Sequence, residues 1–293
     1  MTVRSAAQLQ QALARATAGS VIELATATYV GHFVAHGAGT QAEPITLCGP
    51  RSAVLDGGGI VSGYVLHLDH AQWWRVIGFT VQDGQKGVVL DKSDHNQVSD
   101  LRVTHIGDEG IHLRDFSDDN IVDGNVVSGT GNLRTKFGEG IYVGTAHKNW
   151  CSITACEVDA SDGNVISNNI ISMTTAENID IKEGTSSGVI EGNQLSGAGM
   201  VSSAATAWVN VKGNHWTISH NHGVDSIKDG FQVHQVYPGW GLDNVFSENT
   251  ADVGAAGWGY YVQRKSLGAV IGCSNTASGA GSGASNVPCV SGF

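Results

Sequence analysis

Apolar and polar residues alternate strictly through Asn178-Ile179-Asp180-Ile181-Lys182-Glu183-Gly184. The alternation predicts a β-strand with Ile179 and Ile181 on one face and Asp180 and Lys182 on the other. The same pattern recurs at Gly110-Ile111-His112-Leu113-Arg114, at residues 140–144, 208–212, 230–234 and 259–263, and more weakly at 87–91. A second unit runs between these strands. Residues 74–79, 96–101, 120–125, 164–169, 188–193, 216–221 and 244–249 share one hexapeptide pattern, and five of the seven end in Asn. The spacing is 22 to 28 residues, with a single 44-residue step between Asn125 and Asn169 that predicts a coil carrying a long insertion.

A unit this short cannot bury its own apolar side, so the units must stack. Three short strands per rung of roughly 24 residues predict a parallel β-helix. The Leu spacing of leucine-rich repeats is absent, and a β-sandwich would not repeat one hexapeptide seven times. Stacked rungs would bring Asn125, Asn169, Asn193, Asn221 and Asn249 into a ladder, each amide bonding the next. Helical periodicity appears only near the start. Ser5 can cap a helix whose stripe is Leu9 and Leu13, expected to cover one end of the fold. Short strands are expected at Ser20–Leu24, Ile45–Cys48 and Ala53–Asp56. The predicted fold is therefore all-β, one solenoid domain over 1–293, with a cap at 1–20 and a disulfide-tied tail at 266–293, in which 274–288 are expected to form a flexible loop. The Asn ladder and the Gly/Asn-rich coils resemble the pectate-lyase-like superfamily across the whole length, which implies a right-handed β-helix. That superfamily holds lyases, hydrolases, epimerases and adhesins, so fold alone leaves function open.

Composition narrows the partners. The 40 Gly and only 4 Pro agree with many short strands and turns. A formal charge of −11 argues against a nucleic-acid partner. No apolar run reaches 18 residues, so no membrane-spanning helix is expected. Cys151 with Cys156, and Cys273 with Cys289, are spaced for two local disulfides, leaving Cys48 to be buried. Disulfides imply a secreted protein, and a single chain is expected to act as a monomer.

Aligning the strands on their inward apolar pairs turns the repeat into a surface. The outward central column is His112, Tyr142, Asp180, Asn210, Gln232 and Tyr261. The column after it holds Asp91, Arg114, Gly144, Lys182, Lys212, His234 and Gln263. The column before it holds Glu109, Glu139, Glu177, Ala207, Asp229 and Trp258. A plain solvated face favours Thr, Ser and Lys, so this mixture of cations, aromatics and carboxylates points to a carbohydrate groove. His112, Tyr142, Asn210, Gln232, Trp208 and Tyr261 are its expected substrate contacts, and Trp150, Trp240 and Trp258 are further stacking candidates. Trp74 and Trp216 fall elsewhere in the rung and are assigned to packing. His215, His220 and His222 match no zinc spacing and suit a surface turn.

β-Elimination from a uronate needs a cation on the C6 carboxylate, a base for H5 and an acid for the leaving oxygen. Glu109, Glu139 and Glu177 on successive rungs are candidate ligands for calcium, a hard ion that prefers oxygen. Lys182 is the candidate base and Lys212 the candidate acid, with Asp180, Arg114 and His234 completing the catalytic set. Hydrolysis of a neutral glycan by paired carboxylates, Glu177 with Asp180 or Asp180 with Glu139, is the rival chemistry. A non-catalytic glycan-binding β-helix is the rival without chemistry.

A closer resemblance rests on Glu177-x4-Lys182 followed by Val209-Asn210-Val211-Lys212-Gly213. These forty or so residues are similar to the motif pair of the chondroitinase B and alginate lyase family. The resemblance implies that Glu177 binds the metal, that Lys182 is the base and that Lys212 stands where the family has a catalytic Arg. The chain departs from the pattern at Lys212 itself, in lacking the following Arg-His-Gly, and at Thr175, where the family has a second Glu.

Overall fold

The computed structural model describes every residue from Met1 to Phe293. Three parallel sheets of ten, eleven and ten strands run its length. One coil shows the construction: Ile111–Arg114 lies in the first sheet, Ile121–Asp123 in the second, Val126–Ser128 in the third, and the chain then returns to Ile141–Val143 in the first. The first sheet carries the outward stripe and is called the groove sheet below. The register matches the alignment by alternation. Ile111, Ile141, Ile179, Val209, Phe231 and Tyr260 pair in order along one inward column, and His112, Tyr142, Asp180, Asn210, Gln232 and Tyr261 along the outward one. A one-residue slip would turn every Ile and Val of this column outward, so the apolar interior enforces the register.

The predicted Asn ladder is present. Asn125, Asn169, Asn193, Asn221, Asn249 and Asn275 stack, each Oδ1 accepting both the backbone N–H and the side-chain amide of the Asn one rung before. A second ladder was not anticipated: Asn96, Asn120 and Asn164 stack in the same way at the turn leading into the second sheet. Both satisfy turn N–H groups that the sheets leave unbonded, which a buried backbone requires.

The helix Ala6–Ala14 closes the first coil. Ser5 Oγ accepts the Gln8 N–H at 3.3 Å, and Leu9, Ala12 and Leu13 are buried. Strands form at Val21–Leu24, Ile45–Cys48 and Val54–Asp56, close to expectation. Both disulfides, Cys151–Cys156 and Cys273–Cys289, are formed. Cys48, expected buried, is half-buried at the end of its strand. The tail is not a loose loop either. Thr276–Ala280 and Gly283–Ser285 add a strand each to two sheets, because their small side chains sit flat against the last full coil. The long coil splits its insertion around Ile141–Val143, the later part carrying a short helix, Trp150–Ile153, tied by the first disulfide.

Candidate active site

Three carboxylates and two ammonium groups meet on the outer wall of the groove sheet. Glu139, Glu177 and Asp180 are all buried, and their nearest oxygens lie within 4.8 Å of one another. Asp180 stands at the centre. One of its oxygens pairs with Lys182 Nζ at 2.5 Å and the other with Lys212 Nζ. Asn210, one rung on in the same column, donates to Glu177 Oε1 at 3.2 Å, and its own Oδ1 lies 2.9 Å from His234 Nδ1. Tyr142, one rung back, faces Lys182, with the ammonium 4.9 Å from the ring centroid and the His112 ring set edge-on at 4.2 Å. The rung spacing of the sheet does this work, since neighbours in one column are only about 4.8 Å apart.

The electrostatics follow from burial and pairing. Burial pulls Lys182 down, but Asp180, Tyr142 and Glu139 outweigh it and hold the ammonium well above its usual value. The two lysines likewise overcome burial at Asp180, which stays below the usual carboxylate range. Glu139 has no such partner. Burial, then Glu109 and Asp180, push it well above 4.5, and its Oε2 makes no hydrogen bond. Glu177 is raised by burial and by Asp180. Burial and Lys212 drive His234 down to about 4, so it is neutral near pH 7. Tyr142 is held as the phenol, its pKa raised by burial, and its hydroxyl has no hydrogen-bond partner in the protein.

Several expected residues land elsewhere. Glu109 does not join the carboxylate group; it pairs with Lys86 at 3.0 Å, and Asp180 takes the third place. Its rung is one step too far from Glu177, which the column alignment alone does not reveal. Arg114 lies two rungs from Asp180, bound to Asp91 at 2.7 Å and to the Tyr64 hydroxyl at 3.0 Å. Trp208 is not a sugar platform. It points inward and is fully buried, its Nε1 donating to Val224 O at 3.1 Å. Gly223 and Gly230 make room for it: a Cβ at either would lie within 2.8 Å of the indole. Trp150 is also buried, donating to Thr145 O and packing on His147 and Tyr237. Gln232 is sealed between Asp229 and Thr206 and props the wall rather than reaching a ligand. Tyr261 and Trp258 remain half-exposed, and Trp74 and Trp216 are fully buried packing residues as expected.

Three contributors were missed. Glu183 is buried and accepts both the backbone N–H and the ring of His147, pinning the insertion beside Lys182. Lys86 and Arg134 help to line a cleft of about 300 Å³ that opens next to Tyr142. Arg134 comes from the insertion, whose path no periodicity describes.

The model of the right-handed β-helix region matches residues 64–236. The chain is also 34% identical to the alginate lyase from Paenibacillus sp. str. FPU-7, over 99% of this chain and 96% of that one, with a TM-score of 0.86. This chain belongs to the right-handed β-helix family. It is a polysaccharide lyase of that family. Pectate lyase Pel9A, at 15% identity over 96% of this chain and 75% of that one (TM-score 0.65), shares the fold. So does a mannuronic acid specific polysaccharide family 6 lyase from human gut microbiota, at 11% identity over 89% and 66% (TM-score 0.56). No curated protein matches the sequence. The buried acidic group of this lyase offers the oxygen donors a metal would need, and its disulfides suit secretion.

Proposed function

We propose that the lyase cleaves a polyuronate by β-elimination across Asp180, with Lys182 as the base and alginate as the first polymer to test. The observation that carries this is the convergence of Lys182 and Tyr142 beside Asp180, the ammonium bound to the carboxylate and 4.9 Å from the ring centroid. Lys182 is the more accessible of the two lysines, its side chain 15% exposed against 9% for Lys212. It is therefore the one placed to take H5 from a bound sugar, once its own proton has passed to solvent. Tyr142 carries a phenol with no partner inside the protein and suits the proton donor to the leaving oxygen. Lys212, expected as the acid, is buried against Asp180 and instead holds that carboxylate in place. Asn210, between Glu177 and His234, orients the wall. The similar Paenibacillus chain is named for alginate, a polymer of uronates, which supports the same substrate class.

Calcium fits this site by its donor set. Three buried carboxyl groups supply oxygen donors, and Glu139 Oε2 is buried with no partner, as a metal ligand would be. Glu139, Glu177 and Asp180 would hold it. When bound, calcium would neutralise the uronate carboxylate and the charge of Asp180, which acidifies H5 and weakens the hold of Lys182 on its proton.

The inverting-hydrolase reading fits this geometry less well. Inverting hydrolysis needs carboxyl groups about 6.5–9.5 Å apart to admit a water, whereas these oxygens lie within 4.8 Å and Asp180 is bound by two lysines. The deciding assay follows the ultraviolet absorbance of unsaturated uronate alongside new reducing ends, over alginate, polygalacturonate, chondroitin and a neutral glucan. Absorbance should rise with a polyuronate and vanish in Lys182→Ala. Tyr142→Phe should lose about 10²–10⁴-fold in rate. New reducing ends without absorbance, or full activity in Lys182→Ala, would overturn the proposal.

A further inference from the structure

At the turn between the groove sheet and the second sheet, every rung from the second groove strand onward uses a residue in the left-handed backbone region. In order these are Trp73, His95, Asp119, Gly163, Ser187, His215, Asp243 and Gly268, with φ between 53° and 71°. Asp, Ser and Gly suit that region; a bulky aromatic there is an outlier. Trp73 is the largest side chain in the column, and nothing in the core requires it, since its ring stays half-exposed. It stacks on His95 with centroids 4.5 Å apart and planes 22° from parallel. His95 is held in turn by Asp119 at 3.7 Å. The stack lines a cleft of about 250 Å³ together with Gln41, Arg75, Gln97 and Asp119, whose carboxylate is turned to His95. Arg75 and Gln97 occupy one outward column of the second sheet. The side chains of Gln41, Arg75 and Gln97 have no hydrogen-bond or ion-pair partner in the protein, so unpaired donors share the cleft with an aromatic surface.

We propose that this cleft is a second glycan-binding site, distinct from the groove, that takes a pyranose of an acidic polysaccharide. The apolar face of the sugar would lie on Trp73, its hydroxyls would meet Gln41 and Gln97, and its carboxylate would meet the free guanidinium of Arg75. Backbone strain concentrated at a partly exposed aromatic is a mark of such use. Four rungs separate the cleft from Lys182, roughly 19 Å along the axis at the spacing of sheet strands. One long polymer can engage both sites, which raises its local concentration at the groove.

The test uses the full chain carrying Lys182→Ala, so that no polymer is degraded, run by electrophoresis through gels containing alginate, polygalacturonate or a neutral glucan. Trp73→Asn is the chosen change, because Asn tolerates the left-handed region and keeps the turn. Its melting temperature should be no lower than that of the parent. The parent should be retarded by at least one polyuronate and not by the glucan. Trp73→Asn should weaken that retardation about tenfold, and Arg75→Gln should remove the preference for the acidic polymer. In the active chain, Trp73→Asn should raise KM on polymer and leave turnover of a short oligosaccharide unchanged. Equal retardation of Trp73→Asn and its parent, or no retardation of the parent by any polyuronate, overturns the proposal. Because binding is read without turnover, its failure and the failure of the lyase chemistry are separate results.

Discussion

Replacing Asn193 by Ala removes one step from the middle of the Asn ladder, and the structure sets the cost. Asn193 Oδ1 accepts the backbone N–H and the side-chain amide of Asn169, each at 2.9 Å. Its own amide reaches Ile166 O and Asn221 Oδ1. After truncation, two donors of Asn169 are left in a fully buried position with no acceptor. Each orphaned buried donor costs about 1–3 kcal/mol, so the expected loss is about 4 kcal/mol, a large part of a typical total of about 5–15 kcal/mol. Asn275 makes the same contacts at the last rung but is only half-buried. Water can replace it there, and Asn275→Ala should cost about 1 kcal/mol. Urea unfolding followed by far-ultraviolet circular dichroism gives both values. A loss below 1 kcal/mol for Asn193→Ala, or equal losses at the two positions, would show that the ladder does not carry this energy.

The remaining expectations concern charge. Asp180→Asn strips the counter-ion from two buried ammonium groups and should cost about 3 kcal/mol in urea unfolding, more than Glu177→Gln. Calcium should raise the melting temperature of the parent and leave a Glu139→Gln, Glu177→Gln double variant unmoved; an equal rise in both would place the ion elsewhere. Asp118 is raised to about 6, first by burial and then by Asp94 and Asp162. A carboxyl with a folded pKa above its unfolded one is protonated more in the fold, so stability falls as pH rises from about 4 to about 6. Asp118→Asn keeps the acceptor for Asp162 N–H and should add about 1 kcal/mol at pH 7, a figure discounted for the group's exposure. It should also flatten that slope; an unchanged pH profile would refute the assignment.

The sequence by itself determined the solenoid, the register and the Asn ladder, because each is a local rule repeated. Period-two alternation decides which side of a strand faces the interior, and a misplaced rung would bury polar side chains. Thus Tyr142, Asp180 and Asn210 could be placed in one column, and Lys182 and Lys212 in the next, before any coordinates. What depends on distances across rungs was decided only by the tertiary structure. Asp180 rather than Glu109 completes the carboxylate group, since reach between side chains on a twisting wall is not a matter of column membership. Trp208 turns inward because glycines on two other strands, Gly223 and Gly230, vacate space for it. Arg134 and His147 arrive at the groove on an insertion with no period to read, held there by Asp108 and Glu183. The ionic state of Lys182 belongs to this second class as well, because a pKa reports the surroundings of a side chain and those surroundings exist only once the coils have stacked.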